Sequence, residues 1–493
     1  MTDLIERLPL RDGQRAVAWS PRPGAVLAIV LIGQLMAVLD ATIVNVAVPS
    51  MHADLHASGA GLQLIVAGYT IAYAVLLVTG ARLGDILGHR RMFRAGVLLF
   101  TLSSLGCGLA PSTGPLIGLR FAQGVGAALM IPQVLSLLQR TYPSPGPRAR
   151  AMSLYATVIS GGAVLGQVIG GVLISANLFG ATWRPIFLVN VPVGILVLAF
   201  SGQLPAGRFD GVRKLDVPGL LVLTPAVLAF VLPLVLGQPL GWPAWGWALL
   251  GAAVVGFGAL SIVEHRVAVG GGQPILPRAL LGLPGVKAGI GGLFAAMVVF
   301  GGWLFGFALQ LQDGFGDSAL RAGLTFAPAA ISFALVSLNW QRIPARYHAA
   351  LPASGFVVYG LGLLALGLLF RSGAPAGFAP YIVSAIAGAG MAAAFGPLMT
   401  RVLSRVPVAI AADASGVLVT VNQLGIVVGV ATFGTLYLNL AGRLPSLHAS
   451  SAFTLSSAHA YLATSVALAA LALLGAVLAV GHVRVTAPDK VAR

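Results

Sequence analysis

Apolar runs of about 20 residues recur from one end of this 493-residue chain to the other. Each is long enough to cross about 30 Å of hydrocarbon as a helix, and a chain made of such runs has few other folds open to it. Only 9% of the residues are charged and 58% are hydrophobic, against about 25% charged in an ordinary soluble domain. The expected fold class is all-α integral membrane. The first 22 residues carry Asp3, Glu6, Arg7, Arg11, Asp12, Arg15 and Arg22 without a short apolar core, so no cleaved signal peptide is expected. The single cysteine, Cys107, falls in an expected span and can form no intrachain disulfide.

Reading apolar runs between breakers gives about fourteen spans. They lie near 24–48, 62–83, 93–111, 113–136, 151–175, 185–204, 216–237, 242–264, 286–311, 321–341, 350–370, 376–400, 413–438 and 460–482. With the N-terminus in the cytoplasm, the inside segments collect most of the basic residues, among them Arg82, Arg90, Arg91 and Arg94. The outside loops hold only Arg184, Arg321, Arg371 and Arg443. That asymmetry follows the positive-inside rule. The formal charge of +16 is therefore topological, and nucleic acid is not an expected partner. The spans group as six, two and six, a plan used by one large class of transporters around a midplane site. Expected divisions are an N-terminal tail over 1–22, a six-helix bundle over 23–205, a linker with two additional helices over 206–285, a second six-helix bundle over 286–483, and a tail over 484–493. Both termini are then cytoplasmic.

Asp40 is a lone carboxylate inside the first span, and an ionisable group at such depth marks an ion or substrate pathway by default. An inert buried acid is the alternative. It lies about eight residues, roughly 12 Å, below the outer end of span one, and Arg120 lies about seven residues, roughly 10 Å, below the same surface in span four. Opposite charges at matching depth are expected to be partners, either for proton coupling or as a structural ion pair. Gln123 and Gly124 share the face of Arg120 at i+3 and i+4, which makes Gln123 a candidate for a polar contact with substrate or for satisfying a neighbouring helix. Asn45 is assigned to packing.

Between spans two and three runs Gly80-Ala-Arg82-Leu-Gly84-Asp85-Ile-Leu-Gly88-His-Arg90-Arg91. Its glycines permit close approach and unusual backbone angles, and Asp85 can pair with the arginines across helix ends. On physics alone it reads equally as an ordinary basic loop. The pattern resembles the signature loop of the major facilitator superfamily, and further segments agree in order. Leu39-Asp40-Ala-Thr42-Ile-Val-Asn45-Val-Ala-Val-Pro49 resembles the first span of its 14-span drug:proton antiporter group. Leu119-Arg120-Phe-Ala-Gln123-Gly124-Val-Gly126 resembles the fourth-span motif, and Trp183-Arg184-Pro-Ile-Phe187-Leu-Val-Asn190-Val-Pro192-Val-Gly194 the start of span six. Ala414-Ser415-Gly416, with Asn422-Gln423-Leu-Gly425 and Gly429, resembles the penultimate span. Three positions depart from the pattern. Gln167 follows Gly166 where proline is usual, 339–346 keeps little of the second signature, and Pro185 stands where an aromatic is common.

The resemblance implies two six-helix bundles plus two extra central helices in a bacterial cytoplasmic (inner) membrane, working as a monomer. It implies proton-driven efflux by alternating access with no cofactor and no metal. Proton coupling falls to Asp40 and Arg120. Gating is expected of Gly80, Gly84, Asp85, Gly88, Arg90 and Arg91, and of the span-five glycines Gly162, Gly166, Gly170 and Gly171. Small-residue spacing by itself explains the last four as packing. Phe300, Trp303, Phe307 and Gln310 form a helical stripe in span nine, either lining a cavity for flat lipophilic compounds or facing lipid or core, with the second reading preferred.

Asp40 is the only acid expected well inside a span, which favours lipophilic neutral or monocationic substrates over bulky dications. Export of an endogenous lipid, siderophore or metabolite, and proton-coupled uptake, are the alternatives. A polytopic enzyme would need clustered catalytic groups, and the eight histidines are dispersed among loops and span ends. Asp413 is read as a helix N-cap, and Asp313 and Asp317 as solvated loop acids.

Overall fold

The computed structural model describes residues 22–57, 59–205, 217–237, 240–270, 278–374, 377–407, 411–441 and 451–486. Among them every regular element is helical and no strand occurs. The first half contains α1 (Pro23–Leu55), α2 (Gly59–Leu87), α3 (His89–Gly108), α4 (Thr113–Thr141), α5 (Pro145–Ala176), α6 (Pro185–Leu188) and α7 (Asn190–Phe200). Then come α8 (Val217–Leu236), α9 (Ala244–Val269) and the short α10 (Arg278–Gly282). The second half contains α11 (Val286–Leu309), α12 (Ala319–Asn339), α13 (Leu351–Phe370), α14 (Ala379–Ser404), α15 (Ala411–Ala441) and α16 (Ser451–Thr486).

Local chemistry sets several boundaries. Proline opens α1 and α5, where its missing N–H costs nothing. His56 (φ 48°) and Asn177 (φ 40°) end the same two helices in the left-handed region. Ser318 caps α12 by accepting from the Arg321 amide at 3.3 Å. Pro132, Pro225, Pro233, Pro328 and Pro397 stand inside helices, which is tolerated where neighbouring helices re-satisfy the freed backbone groups.

Eleven helices among the described residues are long and apolar enough to cross a membrane. The expectation of about fourteen spans is thus met in part. The remaining three expected spans are helical, as α3, α5 and α8, without reaching that measure. α3 opens with Arg90, Arg91 and Arg94, and the described apolar stretch of α8 is only Pro218–Leu234. Two boundaries differ from expectation. α1 runs on to Leu55 rather than stopping near 48, and the expected span 185–204 is divided into α6 and α7. Asp40 is not alone among the acids inside helices: α9 continues past the expected end at 264 to Val269, so Glu264 lies within it, and its side chain is only 5% exposed.

In the first half α1 packs along α5 and α4, α2 along α4, and α3 along α4 and α7. In the second half α11 packs along α15 and α14, α12 along α14, and α13 along α14 and α16. Between halves α5 lies on α12 and α2 on α15, while α8 pairs with α9 and rests on α2 and α15. Ser337 on α12 donates to the Ser153 carbonyl on α5 at 3.4 Å.

Backbone approaches show how closely the halves repeat. A Cβ on Gly124 would meet the Tyr69 carbonyl oxygen, and one on Gly388 would meet that of Ala329. Two residues further along, Gly126 abuts the Phe100 amide and Gly390 the Tyr359 amide. Gly166 abuts the Leu39 carbonyl, as Gly429 abuts that of Val298. Matching the halves on these contacts aligns Asp40 with Val299, and Arg120 with Ser384. The charged pair of the first half has no charged counterpart in the second.

One of these approaches gives a stability test. A Cβ on Gly80 would run into the Ala128 carbonyl, which is backbone and cannot swing aside. Gly80→Ala is expected to cost about 1–3 kcal/mol, read as a lower thermal midpoint of the purified protein. An unchanged midpoint would mean that α2 and α4 are not in this contact.

Candidate functional site

α1 and α4 pack together so that Asp40 meets Arg120 with neither side chain exposed to more than 1%. Arg120 Nη1 donates to Asp40 Oδ2 at 2.5 Å and to Gln123 Oε1 at 2.7 Å. Asp40 Oδ1 accepts from Gln123 Nε2 at 2.7 Å and from Asn190 Nδ2 at 3.1 Å. Arg120 Nε donates to the Ile65 carbonyl at 3.0 Å. The guanidinium carbon lies 4.8 Å from the Tyr69 ring centre and 5.6 Å from that of Phe187. Ser104 Oγ accepts from Gln123 Nε2 at 3.1 Å and Asn190 Nδ2 at 3.0 Å, and donates to the Phe187 carbonyl at 2.9 Å. Removing two charges from water costs several kcal/mol per ion. Ion pairing, three donors on one carboxylate and two aromatic faces around one cation offset that cost together.

The expected pairing of Asp40 with Arg120 is thus a direct contact. Of the two readings of Gln123, a substrate contact or a bond to a neighbouring helix, the structure shows the second: it is fully buried and bridges both members of the pair. Asn190, Ser104 and Tyr69 complete the cluster without having been singled out. Asn190 does stand in a segment that carries the family resemblance. Its contact with Asp40 spans 150 residues of chain, however, and no local spacing encodes it. The Asn45 side chain lies outside the described residues, as do those of Gln167 and Asp413.

At the α2–α3 junction Gly88 takes φ 96°, a conformation costly to any residue with a Cβ. Asp85 sits 4.0 Å from Arg82 and 3.6 Å from His89. His89 Nδ1 contacts Gln133 Oε1 at 2.7 Å, and Gln133 Nε2 donates to the Gly80 carbonyl at 2.8 Å. Gly84 is where the Gln133 side chain fits, because a Cβ there would collide with it. The loop is therefore tied to α4 through His89, which stands inside the motif without an expected role, and Gln133, which lies outside it. Arg90 is half-buried and Arg91 exposed.

In α5, Gly162 faces Leu35 and Val38, Gly166 faces Leu39 and Thr42, and Gly170 faces Ile43, all on α1. Gly171 is buried beside them. The glycine row makes a close α1–α5 seam, as the packing reading has it.

The aromatic stripe of α11 divides. Phe307 is core, stacked on Phe370 at 6.1 Å and edge-on to Phe326 at 4.9 Å. Gln310 is also enclosed, accepting from the Tyr437 hydroxyl at 3.2 Å in the π-helical turn Gln310–Gly314. Phe300 and Trp303 instead line a narrow apolar pocket with Phe326, Phe333, Tyr359 and Met391.

Among the loop acids, Asp317 pairs with Arg321 at 3.1 Å and Asp313 is exposed. Asp54, past the apolar part of α1, accepts from Trp183 Nε1 at 2.9 Å and Arg184 Nη1 at 2.7 Å. The Trp183 bond first, then that from Arg184, holds its carboxyl below the ordinary carboxylate range.

The family model described as Major Facilitator Superfamily matches residues 30–430. A protein of Streptomyces coelicolor named "Probable actinorhodin transporter" is 39% identical over 85% of this chain and 73% of its own length. The cephamycin export protein CmcT of Amycolatopsis lactamdurans is 35% identical over 86% of this chain and 88% of its own. Among solved structures, the proton:xylose symporter XylE bound to 6-bromo-6-deoxy-D-glucose matches with a TM-score of 0.60 at 17% identity, covering 91% of this chain and 94% of that one. That last likeness is one of fold.

Proposed function

This chain belongs to the Major Facilitator Superfamily, and from that premise we propose that it is an efflux pump driving small lipophilic compounds, neutral or cationic, out of the cell against proton entry. It is a multi-pass membrane transporter rather than an enzyme. The relatives named for actinorhodin transport and cephamycin export support drug or antibiotic export as the task.

The observation that carries proton coupling is the fully buried Asp40–Arg120 pair with Gln123 and Asn190 hydrogen-bonded to the same carboxylate. In the proposed cycle Asp40 takes a proton from outside and loses its charge. Arg120 is then left with Gln123 Oε1 and the Ile65 carbonyl, and the two halves rock. Release of the proton to the cytoplasm restores the pair. The α2–α3 junction, with Gly80, Gly84, Asp85, Gly88, Arg90 and Arg91, gates one membrane face, and the glycine seam Gly162, Gly166, Gly170 and Gly171 lets α5 slide on α1. Phe300 and Trp303 form part of the substrate wall. The proposed frame is about fourteen spans in a bacterial inner membrane, both termini cytoplasmic, acting as a monomer on the proton gradient without a cofactor.

The test is flux in proteoliposomes under an imposed pH gradient, with ethidium and a neutral aromatic dye as probes and a trapped pH indicator for protons. Dye movement opposite to proton movement is expected. Movement of both in one direction would make the protein a symporter, and no gradient-dependent movement of either dye would end the export reading.

A further inference from the structure

We propose that an apolar layer made by Met51, Ile65, Leu116, Trp183, Ile186 and Phe187 is the gate between Asp40 and the membrane face at which α1 ends, and that Asp54 is the positioning residue that holds this gate shut. In the proposed orientation that face is the outer one, from which the coupling proton comes. The gate rests on the reading of Asp40 as the proton carrier, and adds how the outside is kept from it.

One stripe of α1 carries an acid, an apolar stretch and a second acid in turn. Asp40, Ile43, Val44, Ala47, Met51 and Asp54 recur at helical spacing, and all but Asp54 are at most 2% exposed. The four residues between the acids pack in one cluster with Ile65 of α2, Leu116 of α4, and Trp183, Ile186 and Phe187 at the entry to α7. Those five partners are fully buried. Gly33 of α1 lies against Met130 of α4, so the two helices run antiparallel through the Asp40–Arg120 contact. Leu116, one turn before Arg120, is therefore on the same side of the pair as Met51. At the rim, polar bonds fasten the layer. Asp54 Oδ2 accepts from Trp183 Nε1 at 2.9 Å and Arg184 Nη1 at 2.7 Å, and the Arg184 guanidinium carbon lies 4.6 Å from the Trp183 ring centre. Indole nitrogen can only donate, and a buried donor left without an acceptor is costly. The Trp183 and Arg184 bonds, with His56 nearby, keep Asp54 ionised, so the latch yields to movement of α1 rather than to acid.

The layer is also joined to the ion pair. Trp183 is edge-on to Phe187 at 6.0 Å, and the Phe187 ring centre lies 5.6 Å from the Arg120 guanidinium carbon. α1 thus meets the segment that enters α7 at two polar points, Asp54 with Trp183 and Arg184, and Asp40 with Asn190 at 3.1 Å. A shift of α1 away from that segment parts both points together. Entry of an outside proton and loosening of Arg120 then belong to one movement. Cys107, the only cysteine of the chain, is a fully buried member of the same layer with its Sγ 3.8 Å from Gln123 Oε1. It stands where the layer meets the polar cluster, and its reactivity reports when the layer opens.

The experiment measures how fast Cys107 reacts with a sulfonated, membrane-impermeant maleimide in the purified full-length protein in nanodiscs. The detergent-unfolded chain sets the upper limit of the rate. The native protein is expected to react about a hundredfold or more below that limit, because only the open fraction is labelled. Asp54→Ala is expected to react about tenfold faster than the native protein, the scale of one charge-assisted hydrogen bond lost from the closed state. Trp183→Phe, which keeps a ring and removes the donor, is expected to follow it, and carries the comparison if Asp54→Ala does not fold. Asp54→Glu keeps the carboxylate and is expected to stay within about threefold of the native rate. Thermal midpoints of the same samples identify a variant labelled through unfolding. The proposal is overturned if native Cys107 reacts at the unfolded rate, if the folded latch variants react no faster than the native protein, or if Asp54→Glu reacts as fast as Asp54→Ala. No gradient is applied, so the outcomes separate. Unchanged labelling beside an Asp40→Asn protein that no longer pumps ends the gate alone. Faster labelling of the latch variants beside an Asp40→Asn protein that still pumps ends the proton-coupling reading alone.

Discussion

Asp40→Asn is expected to reduce proton-driven efflux to the level of protein-free liposomes. Asparagine keeps the shape of the side chain but cannot carry the charge, so the cycle loses the step that alternately holds and frees Arg120. The hydrogen bonds also fail to transfer. Oδ1 accepts from Gln123 and Asn190 while Oδ2 accepts from Arg120. An asparagine amide turns its N–H toward one side or the other, and in both orientations donor faces donor. The guanidinium is left buried without a counter-charge, a loss of about 3–5 kcal/mol of stability. The thermal midpoint and monodispersity of the purified variant separate loss of coupling from loss of fold. A well-folded variant that still pumps on an imposed pH gradient would sink the coupling role of Asp40.

Arg120→Leu is expected to be the most destabilising substitution in the cluster. It removes the cation from beside Asp40, the donor to the Ile65 carbonyl, and the charge resting on the Tyr69 and Phe187 rings. The carboxylate remains buried with only Gln123 and Asn190 to solvate it, at a cost of about 3–5 kcal/mol. The informative comparison is with the double substitution. When Asp40→Asn and Arg120→Leu are combined, each removes the charge that the other left stranded, so the total loss is expected to fall short of the sum by about 1–3 kcal/mol. Unfolding midpoints of the purified single and double variants measure this. Strict additivity would show that the two charges do not stabilise each other, and the pair would then lose its standing as a coupled unit.

The two residues at the centre of these predictions were legible from the sequence because each is a lone charge in a long apolar run, and hydrocarbon makes such a residue conspicuous. Glu264 is the last residue of the expected span 242–264, and only the continuation of α9 to Val269 puts it inside the helix. Gln123 was visible as a neighbour of Arg120 on one helix face, yet its destination was not. Helical periodicity says which residues share a face, without saying what that face meets. His89 and Gln133 were invisible for the same reason: 44 residues separate them, and each looks ordinary in its own segment. The α11 stripe shows the limit most plainly. Its spacing is regular throughout, but only Phe300 and Trp303 reach the pocket, because Phe370 and Phe326 close over Phe307 and Tyr437 engages Gln310.

Hydropathy along the chain determined that this protein is a helical membrane protein, and the ordered motifs determined which transporter family its segments resemble. Both are local properties, because backbone groups in hydrocarbon must be satisfied within their own helix, so a span declares itself without reference to the rest of the molecule. Tertiary structure alone decided that the Asp40 carboxylate receives donors from α4 and α7 across 83 and 150 residues of chain. It alone showed that the second half repeats the helix packing of the first while replacing its charges with Val299 and Ser384. Helix-to-helix register arises from close packing of side chains and backbones that are distant in sequence, and no period within a single span encodes it.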